Sequence, residues 1–153
     1  MLQPGTKAPD FTLPVTPDQS LQLSSLTDNN IVLLFYPADW SPVCGDEIAL
    51  FNQAKSIFER YNAQLLGISV DNTWCHVAYA KANNIHFPLL ADFQPKGAVS
   101  QLYGAYHEKE GTSQRALYLI DKNGIIQSAH ISPDAINPGA DGVLEKLKEI
   151  EPR

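Results

Sequence analysis

The sequence of 153 residues predicts an α/β fold in which helices pack against a mainly parallel β-sheet. Two continuous apolar runs of strand length, residues 31–36 and 65–70, are typical of strands that are covered on both faces. Each run is followed by a segment with helical periodicity, as expected for parallel strands joined by crossover helices. Further along, an Asn-Gly turn within residues 121–124 predicts an antiparallel hairpin.

The elements of the first half follow from local patterns. Residues 11–13 and 21–23 predict the two strands of an N-terminal hairpin, the first ending at Pro14. After the strand at 31–36, apolar residues recur every three or four positions from Ile48 to Tyr61, which predicts a helix that begins near Cys44 and runs to about Arg60.

The second half predicts three more helices and three strands. After the strand at 65–70, residues 71–73 offer helix caps, and Trp74, Val77, Ala78 and Lys81 share one face of the helix that follows. Subsequent elements are a strand at 87–90, a helix at 92–103 with Pro95 in its first turn, a loop at 104–111, strands at 116–120 and 125–131, and a helix from 141 or 142. This order is that of a thioredoxin-like fold with an N-terminal β-hairpin and a helical insertion. We expect one domain over residues 1–153.

Composition excludes several classes of function. The formal net charge of −6 and the absence of a basic cluster argue against nucleic acid or an anionic membrane as the main partner. The four histidines are scattered, without the spacing of a metal site. Because the sequence has neither an 18-residue apolar run nor a leader pattern, we expect a cytoplasmic protein.

Chemistry is predicted where the strand at 31–36 meets the next helix. Pro37 and Pro42 stiffen this junction, Ser41 supplies a hydroxyl, and Cys44 lies at the helix start. Unpaired backbone N–H groups and the positive end of the helix dipole favour a thiolate there. This arrangement predicts a nucleophilic cysteine.

A nucleophilic thiolate also needs a cation to stabilise the group that leaves with negative charge, and Arg115 is the best candidate. Arg60 belongs to the far end of its helix, and Arg153 is the last residue. In a thioredoxin-like fold, the strand that Arg115 begins lies beside the strand at 31–36. Taken alone, Arg115 fits a solvated charge at a strand edge, but the nearby motif favours a functional role.

The spacing Pro37-x-x-x-Ser41-x-x-Cys44 resembles the Pro-x-x-x-Thr/Ser-x-x-Cys signature of the peroxiredoxins (AhpC/TSA family). The resemblance covers nearly the whole chain, including the opening segment 4–13 and residues 69–71. It implies a peroxidase that reduces hydrogen peroxide or small organic hydroperoxides through Cys44, assisted by Pro37, Ser41 and Arg115, without metal, haem or flavin. Glu47 resembles the family glutamate that holds the arginine, although a helix-surface charge is the alternative.

The second cysteine, Cys75, leaves two interpretations open. The placement resembles the bacterioferritin comigratory protein (PrxQ-type) branch, which implies an intramolecular Cys44–Cys75 disulfide, formed after the turn at Gly45 melts and recycled by thioredoxin or a similar dithiol protein. The alternative is a one-cysteine enzyme in which Cys75 is buried and inert. We expect the adjoining His76 to face solvent.

Two other functions compete with a peroxidase. The segment from Trp40 to Cys44 also resembles the Trp-Cys-x-x-Cys site of a thioredoxin-type oxidoreductase, but Ser41 replaces the first cysteine, and Gln114 and Arg115 stand where thioredoxins carry a proline. A redox-sensing or holdase-like binding protein would be oxidised once without recycling. We expect Trp40 to pack beside the site, and the chain to be a monomer or a homodimer.

Overall fold

A computed structural model describes residues 1–26 and 28–151, so Arg153 lies outside the described residues. The strands are β1 (Thr12–Thr16), β2 (Gln19–Gln22), β3 (Asn30–Phe35), β4 (Ala63–Ser69), β5 (Leu89–Ala91), β6 (Tyr106–His107), β7 (Thr112–Ser113), β8 (Arg115–Ile120) and β9 (Ile126–Ser132). The helices are α1 (Pro42–Arg60), α2 (Thr73–Asn83), α3 (Ala98–Leu102) and α4 (Asp141–Ile150), and a 3₁₀ helix spans Leu23–Leu26. No helix in this part of the chain is long and apolar enough to cross a membrane.

The central sheet has five strands in the order β5-β4-β3-β8-β9. Strands β3, β4 and β5 run parallel, whereas β8 is antiparallel to β3, and β9 to β8. This order confirms the predicted parallel core followed by an antiparallel hairpin. Strand β3 lies in the middle, which explains why all of its residues are buried.

The two faces of the sheet support two apolar clusters. Because side chains alternate along a strand, Leu33 and Phe35 contribute to one cluster, and Val32 and Leu34 to the other. The cluster that contains Val32 is covered by α1 and α4 and includes Cys44, so the candidate nucleophile lies at the edge of a close-packed layer.

The helix predicted over residues 92–103 is shorter than expected. Only Ala98–Leu102 is helical, and Pro95 precedes the helix instead of lying in its first turn. The Asp92 carboxylate accepts hydrogen bonds from the backbone N–H groups of Val99 and Ser100, which places the helix start beyond the predicted one.

Two other predictions about the strands were wrong. Strand β1 continues through Pro14, which pairs with Ser20 just before a register shift. Because β1 belongs to a two-stranded hairpin, an edge position accommodates the missing N–H of this proline. The loop predicted at 104–111 contains β6, which pairs with β7.

Candidate active site

Cys44 is the third residue of α1 and is completely buried. The helix begins after Ser41, whose backbone is extended, and Pro42 fits the first helical position because it needs no hydrogen-bond partner for its nitrogen. Ser41 makes no side-chain capping hydrogen bond, so its hydroxyl leaves the N–H groups of the first turn uncapped. The helix start therefore presents hydrogen-bond donors and the positive end of a dipole to the Cys44 sulfur.

Strand pairing brings Arg115 to this helix start. Arg115 is the first residue of β8, and the next residue, Ala116, pairs with Phe35 at the end of β3. The Arg115 side chain is buried, and its Nη2 lies 3.2 Å from the Cys44 sulfur. A guanidinium thus contacts the candidate nucleophile, although the two residues are 71 positions apart in sequence.

The remaining donors of Arg115 are held by two acceptors. Nη1 donates to Glu47 Oε1 at 2.9 Å, while Nε and Nη2 donate to the backbone oxygen of Asp134 at 3.1 and 2.8 Å. Burial acts to lower the pKa of Arg115, but the hydrogen bonds and charges of Cys44 and Glu47 outweigh it, so the pKa is raised. The guanidinium is therefore a fixed cation. No sequence pattern indicated the Asp134 contact, because a main-chain oxygen carries no residue signature.

Glu47 lies on the inner face of α1 and not on the helix surface. Its carboxylate is fully buried, and burial raises its pKa even though Arg115 acts in the opposite direction. Its Oε2 has no hydrogen-bond partner among the described residues. A buried carboxylate next to one guanidinium fits the predicted role of holding Arg115.

The segment between β3 and α1 carries Pro37 and Ser41, and both are partly exposed beside the buried cysteine. Trp40, between them, adopts a positive φ of 70°, which is uncommon for a bulky residue. Trp40 was expected to pack beside the site; its side chain is 57% exposed, and its ring makes an edge-on contact with Tyr79, with ring centroids 5.1 Å apart.

Tyr79 links the Cys44 turn to α2. A Cβ at Gly45, next to Cys44, would lie 3.6 Å from the Tyr79 hydroxyl oxygen. The pKa of Tyr79 is raised to about 12 by burial and by the charges of Asp39, Cys44 and Asp46. The first turn of α1 therefore packs on the helix that carries Cys75.

Cys75 is the third residue of α2, and its surroundings differ from those of Cys44. Its backbone N–H donates to the Asn72 side chain at 2.9 Å, and its partly exposed thiol donates to Asp71 Oδ1 at 4.0 Å. Burial, followed by the charges of Asp39 and Asp71, raises the pKa of Cys75 to about 11. Both cysteines are free in this structure.

His76 is buried, so the expectation that it faces solvent was wrong. Its Nδ1 lies 2.7 Å from Asp39 Oδ2, and its Nε2 lies 3.0 Å from the backbone oxygen of Leu90. The inner face of α2 carries His76 and Tyr79, whereas Trp74, on the face predicted from apolar spacing, is 71% exposed. Nothing in the sequence indicated Asp39 as the partner of His76, because the two residues lie 37 positions apart.

The side chains of Asp39, Asp71 and Cys75 form a compact polar cluster. One oxygen or sulfur atom from each lies within 4.8 Å of the others, and among the described residues this is the one such group of potential metal-binding side chains. Each carboxylate oxygen of Asp39 and Asp71 already has a protein hydrogen-bond partner, so we assign no metal to the cluster.

Comparisons with known proteins all point to the same family. The model of the AhpC/TSA family matches residues 4–129. The chain is 35% identical to the putative peroxiredoxin sll0755 of Synechocystis over 160 residues, covering 98% of this chain and 79% of that protein. It is 37% identical to alkyl hydroperoxide reductase E of Mycobacterium tuberculosis over 135 residues, covering 86% of each. The chain spans 59% of the length of the chloroplastic 2-Cys peroxiredoxins BAS1 of spinach and Arabidopsis.

A solved structure supports the same assignment. The crystal structure of peroxidoxin BcpB from Mycobacterium tuberculosis superposes with a TM-score of 0.89 at 27% identity, covering 98% of this chain and 99% of that one. The match agrees with the predicted thioredoxin-like fold and with the bacterioferritin comigratory branch.

Proposed function

This chain belongs to the AhpC/TSA family of peroxiredoxins and is a thiol-dependent peroxidase, and we propose that Cys44 is the thiol that attacks hydrogen peroxide or a small organic hydroperoxide. The observation that carries this assignment is the Arg115 guanidinium 3.2 Å from the Cys44 sulfur at the start of α1. A fixed cation and a helix N-terminus both stabilise a thiolate over a thiol.

In the proposed reaction, the Cys44 thiolate attacks one peroxide oxygen and the O–O bond breaks. The sulfur becomes a sulfenic acid, and the other oxygen leaves with a proton as water or an alcohol. The Ser41 hydroxyl and the uncapped N–H groups of Val43 and Cys44 hold the peroxide in line, while Arg115 stabilises the charge on the departing oxygen. Pro37 forms a rigid wall of the site.

Glu47 and the Asp134 carbonyl contribute by fixing the guanidinium. Together they accept three of its hydrogen bonds, so Arg115 loses little further freedom when a peroxide arrives. Such a preorganised cation adds to catalysis because no rearrangement is needed as charge develops.

We also propose that Cys75 resolves the sulfenic acid as an intramolecular disulfide, which thioredoxin or a similar dithiol protein then reduces. Support comes from the packing of the Cys44 turn against α2 through Gly45 and Tyr79. Glycine after the nucleophile lowers the cost of unwinding this turn by about 1 kcal/mol relative to alanine. The same proposal includes a single domain over residues 1–153, a cytoplasmic location and a monomeric or homodimeric state.

The decisive experiment is steady-state consumption of hydrogen peroxide with thioredoxin as reductant. We expect turnover by the wild-type protein, none by Cys44→Ser, and one rapid turnover followed by stalling for Cys75→Ser. Activity in Cys44→Ser would contradict the nucleophile assignment.

Mass spectrometry after one equivalent of peroxide separates the two thiol schemes. An intramolecular disulfide in the wild-type protein, absent from either single variant, supports the role of Cys75. Retention of the Cys75 thiol, or a disulfide only between chains, would instead indicate a one-cysteine enzyme or an intermolecular route.

A further inference from the structure

The thiol of Cys75 faces negative charge from two directions. Asp71 belongs to the turn before α2, and its Oδ1 accepts the thiol hydrogen at 4.0 Å. Asp39 lies on the segment between β3 and α1, within the same 4.8 Å cluster. Two other groups lie near the thiol or its helix turn: the Trp40 indole, which acts to lower the pKa of the thiol, and Tyr79, one helical turn further along α2. Both are neutral, so the carboxylates dominate the local field.

The two carboxylates differ in their hydrogen-bond partners. Asp39 pairs with His76, whose two ring nitrogens both face acceptors, namely the Asp39 carboxylate and the Leu90 carbonyl. Both oxygens of the Asp39 carboxylate are therefore held by buried partners, Oδ2 by His76 and Oδ1 by the Tyr36 hydroxyl.

Asp71 is the carboxylate that accepts the thiol hydrogen of Cys75, through Oδ1. Its Oδ2 accepts hydrogen bonds from the Asp39 backbone N–H at 2.8 Å and the Ser69 hydroxyl at 2.5 Å. These two neutral donors fix the carboxylate in place but do not cancel its charge, and in the described ranges no lysine, arginine or histidine forms an ion pair with it. Of the two carboxylates, Asp71 is thus the one that is hydrogen-bonded to the Cys75 thiol, and its charge adds to that of Asp39.

We propose that Asp71 is a positioning residue that keeps Cys75 as a neutral thiol while the first turn of α2 is folded, and thereby limits the rate of the disulfide step. This inference rests on the proposed role of Cys75 as the resolving cysteine. The raised pKa of Cys75, about 11, agrees with it, with burial as the largest cause and the two carboxylates next. A carboxylate that accepts the S–H hydrogen stabilises the thiol and repels the thiolate.

The protonation of Cys75 matters because this residue acts as the nucleophile in the disulfide step. The Cys75 S–H bond breaks, the electron pair on its sulfur forms the bond to the Cys44 sulfur, and the hydroxyl of the sulfenic acid leaves with the released proton as water. Only the thiolate is an effective nucleophile, so a thiol held protonated reacts slowly. Opening of the turn that begins at Asn72 would move the Cys75 sulfur away from Asp71. Until this turn opens, the Cys44 sulfenic acid persists.

The first test measures alkylation of Cys75 by iodoacetamide from pH 6 to 11 in a Cys44→Ser background, where Cys75 is the single cysteine. Adding Asp71→Asn should shift the midpoint to lower pH and raise the rate at pH 8 about threefold or more. That estimate combines a tenfold gain in thiolate per pKa unit with the lower reactivity of a less basic sulfur. Asp18→Asn, an exposed turn residue, is the control that removes the same charge elsewhere.

A second variant separates charge from loosened structure. Asp71→Glu retains the carboxylate, so its alkylation profile should stay close to that of the parent. If Asp71→Asn leaves the profile unmoved, or if both variants accelerate alkylation equally, the proposal is overturned.

A third measurement, disulfide formation after one equivalent of peroxide, links the inference to the reaction. In a background with both cysteines, Asp71→Asn should form the Cys44–Cys75 disulfide faster than wild type at pH 7, with the oxidation of Cys44 unchanged. Faster alkylation without any disulfide in either protein would refute the resolving role of Cys75 but retain the electrostatic role of Asp71. A normal disulfide with an unmoved alkylation profile would refute the role of Asp71 alone.

Discussion

Cys44 and Cys75 occupy the same position in two helices, the third residue, yet their surroundings are opposite. Cys44 is buried against the guanidinium of Arg115, whereas Cys75 is partly exposed and faces the carboxylates of Asp39 and Asp71. A helix dipole contributes about 0.3–1 kcal/mol for a charge in the first turn. Despite that contribution, the pKa of Cys75 is raised to about 11. The comparison indicates that a helix N-terminus does not by itself lower the pKa of a thiol, because burial and then the neighbouring carboxylates raise that of Cys75.

The largest expected effect comes from removing the cation beside Cys44. Arg115→Gln should lower the second-order rate constant for oxidation of Cys44 by peroxide by about 10²–10³-fold, the usual loss for one preorganised donor. Stopped-flow fluorescence under single-turnover conditions measures this rate, and alkylation of Cys75 should not change. Arg60→Gln, at the far end of α1, is the matched control.

Arg115→Gln also leaves Glu47 buried without its cation, so the variant is expected to lose stability. The double variant Arg115→Gln, Glu47→Gln removes both charges and should fold better while remaining equally slow. Near-wild-type oxidation of Cys44 in the double variant would show that the guanidinium is dispensable.

An intermediate effect is expected at the turn after Cys44. Gly45→Ala should slow disulfide formation about fivefold, because alanine stabilises the helical turn by about 1 kcal/mol. The added Cβ would lie 3.6 Å from the Tyr79 hydroxyl, an ordinary contact, so the fold should accept it. The rate at which peroxide oxidises Cys44 should be unaffected. Unchanged disulfide kinetics in a more stable protein would mean that this turn need not open.

The smallest effects concern the residues before the two helices. Asn72 caps α2 through its side chain, so Asn72→Ala should lower the free energy of unfolding by about 1 kcal/mol, measured by urea denaturation. Ser41 makes no such bond, and Ser41→Ala should change stability by only a few tenths of that value. Instead, Ser41→Ala should slow oxidation of Cys44 about tenfold through loss of one hydrogen bond to the peroxide. Equal losses of stability in both variants would contradict the claim that Asn72 caps its helix and Ser41 does not.

Much of the fold was predictable because it depends on local patterns. The apolar runs and helical periodicity defined β3, α1 and β4, and their order implied that β8 lies next to β3. That pairing explains why a motif near residue 40 and an arginine at 115 could be assigned to one site from sequence alone. The catalytic roles of Pro37, Ser41, Cys44 and Arg115 stay predictions until they are measured.

The unpredicted features depend on tertiary contacts. Apolar spacing placed Trp74 and Val77 on one face of α2, yet the buried side chains of this helix are His76 and Tyr79, and His76 contacts Asp39 on a distant segment. The Asp134 carbonyl that holds Arg115 belongs to a loop without any motif. The late start of α3 depends on capping by Asp92, seven and eight residues before the N–H groups that it accepts. Periodicity along the chain does not report any of these contacts.

The most direct test compares the two thiols as single cysteines. The second-order rate constants for oxidation by hydrogen peroxide at pH 7 are measured for Cys75→Ser, which retains Cys44, and for Cys44→Ser, which retains Cys75. With a pKa of about 11, only about one Cys75 thiol in 10⁴ is ionised at this pH. Cys44 should therefore react faster by on the order of 10³-fold or more. Comparable rates, or faster oxidation of Cys75, would contradict the claim that the charged neighbours of each cysteine determine which one reduces the peroxide.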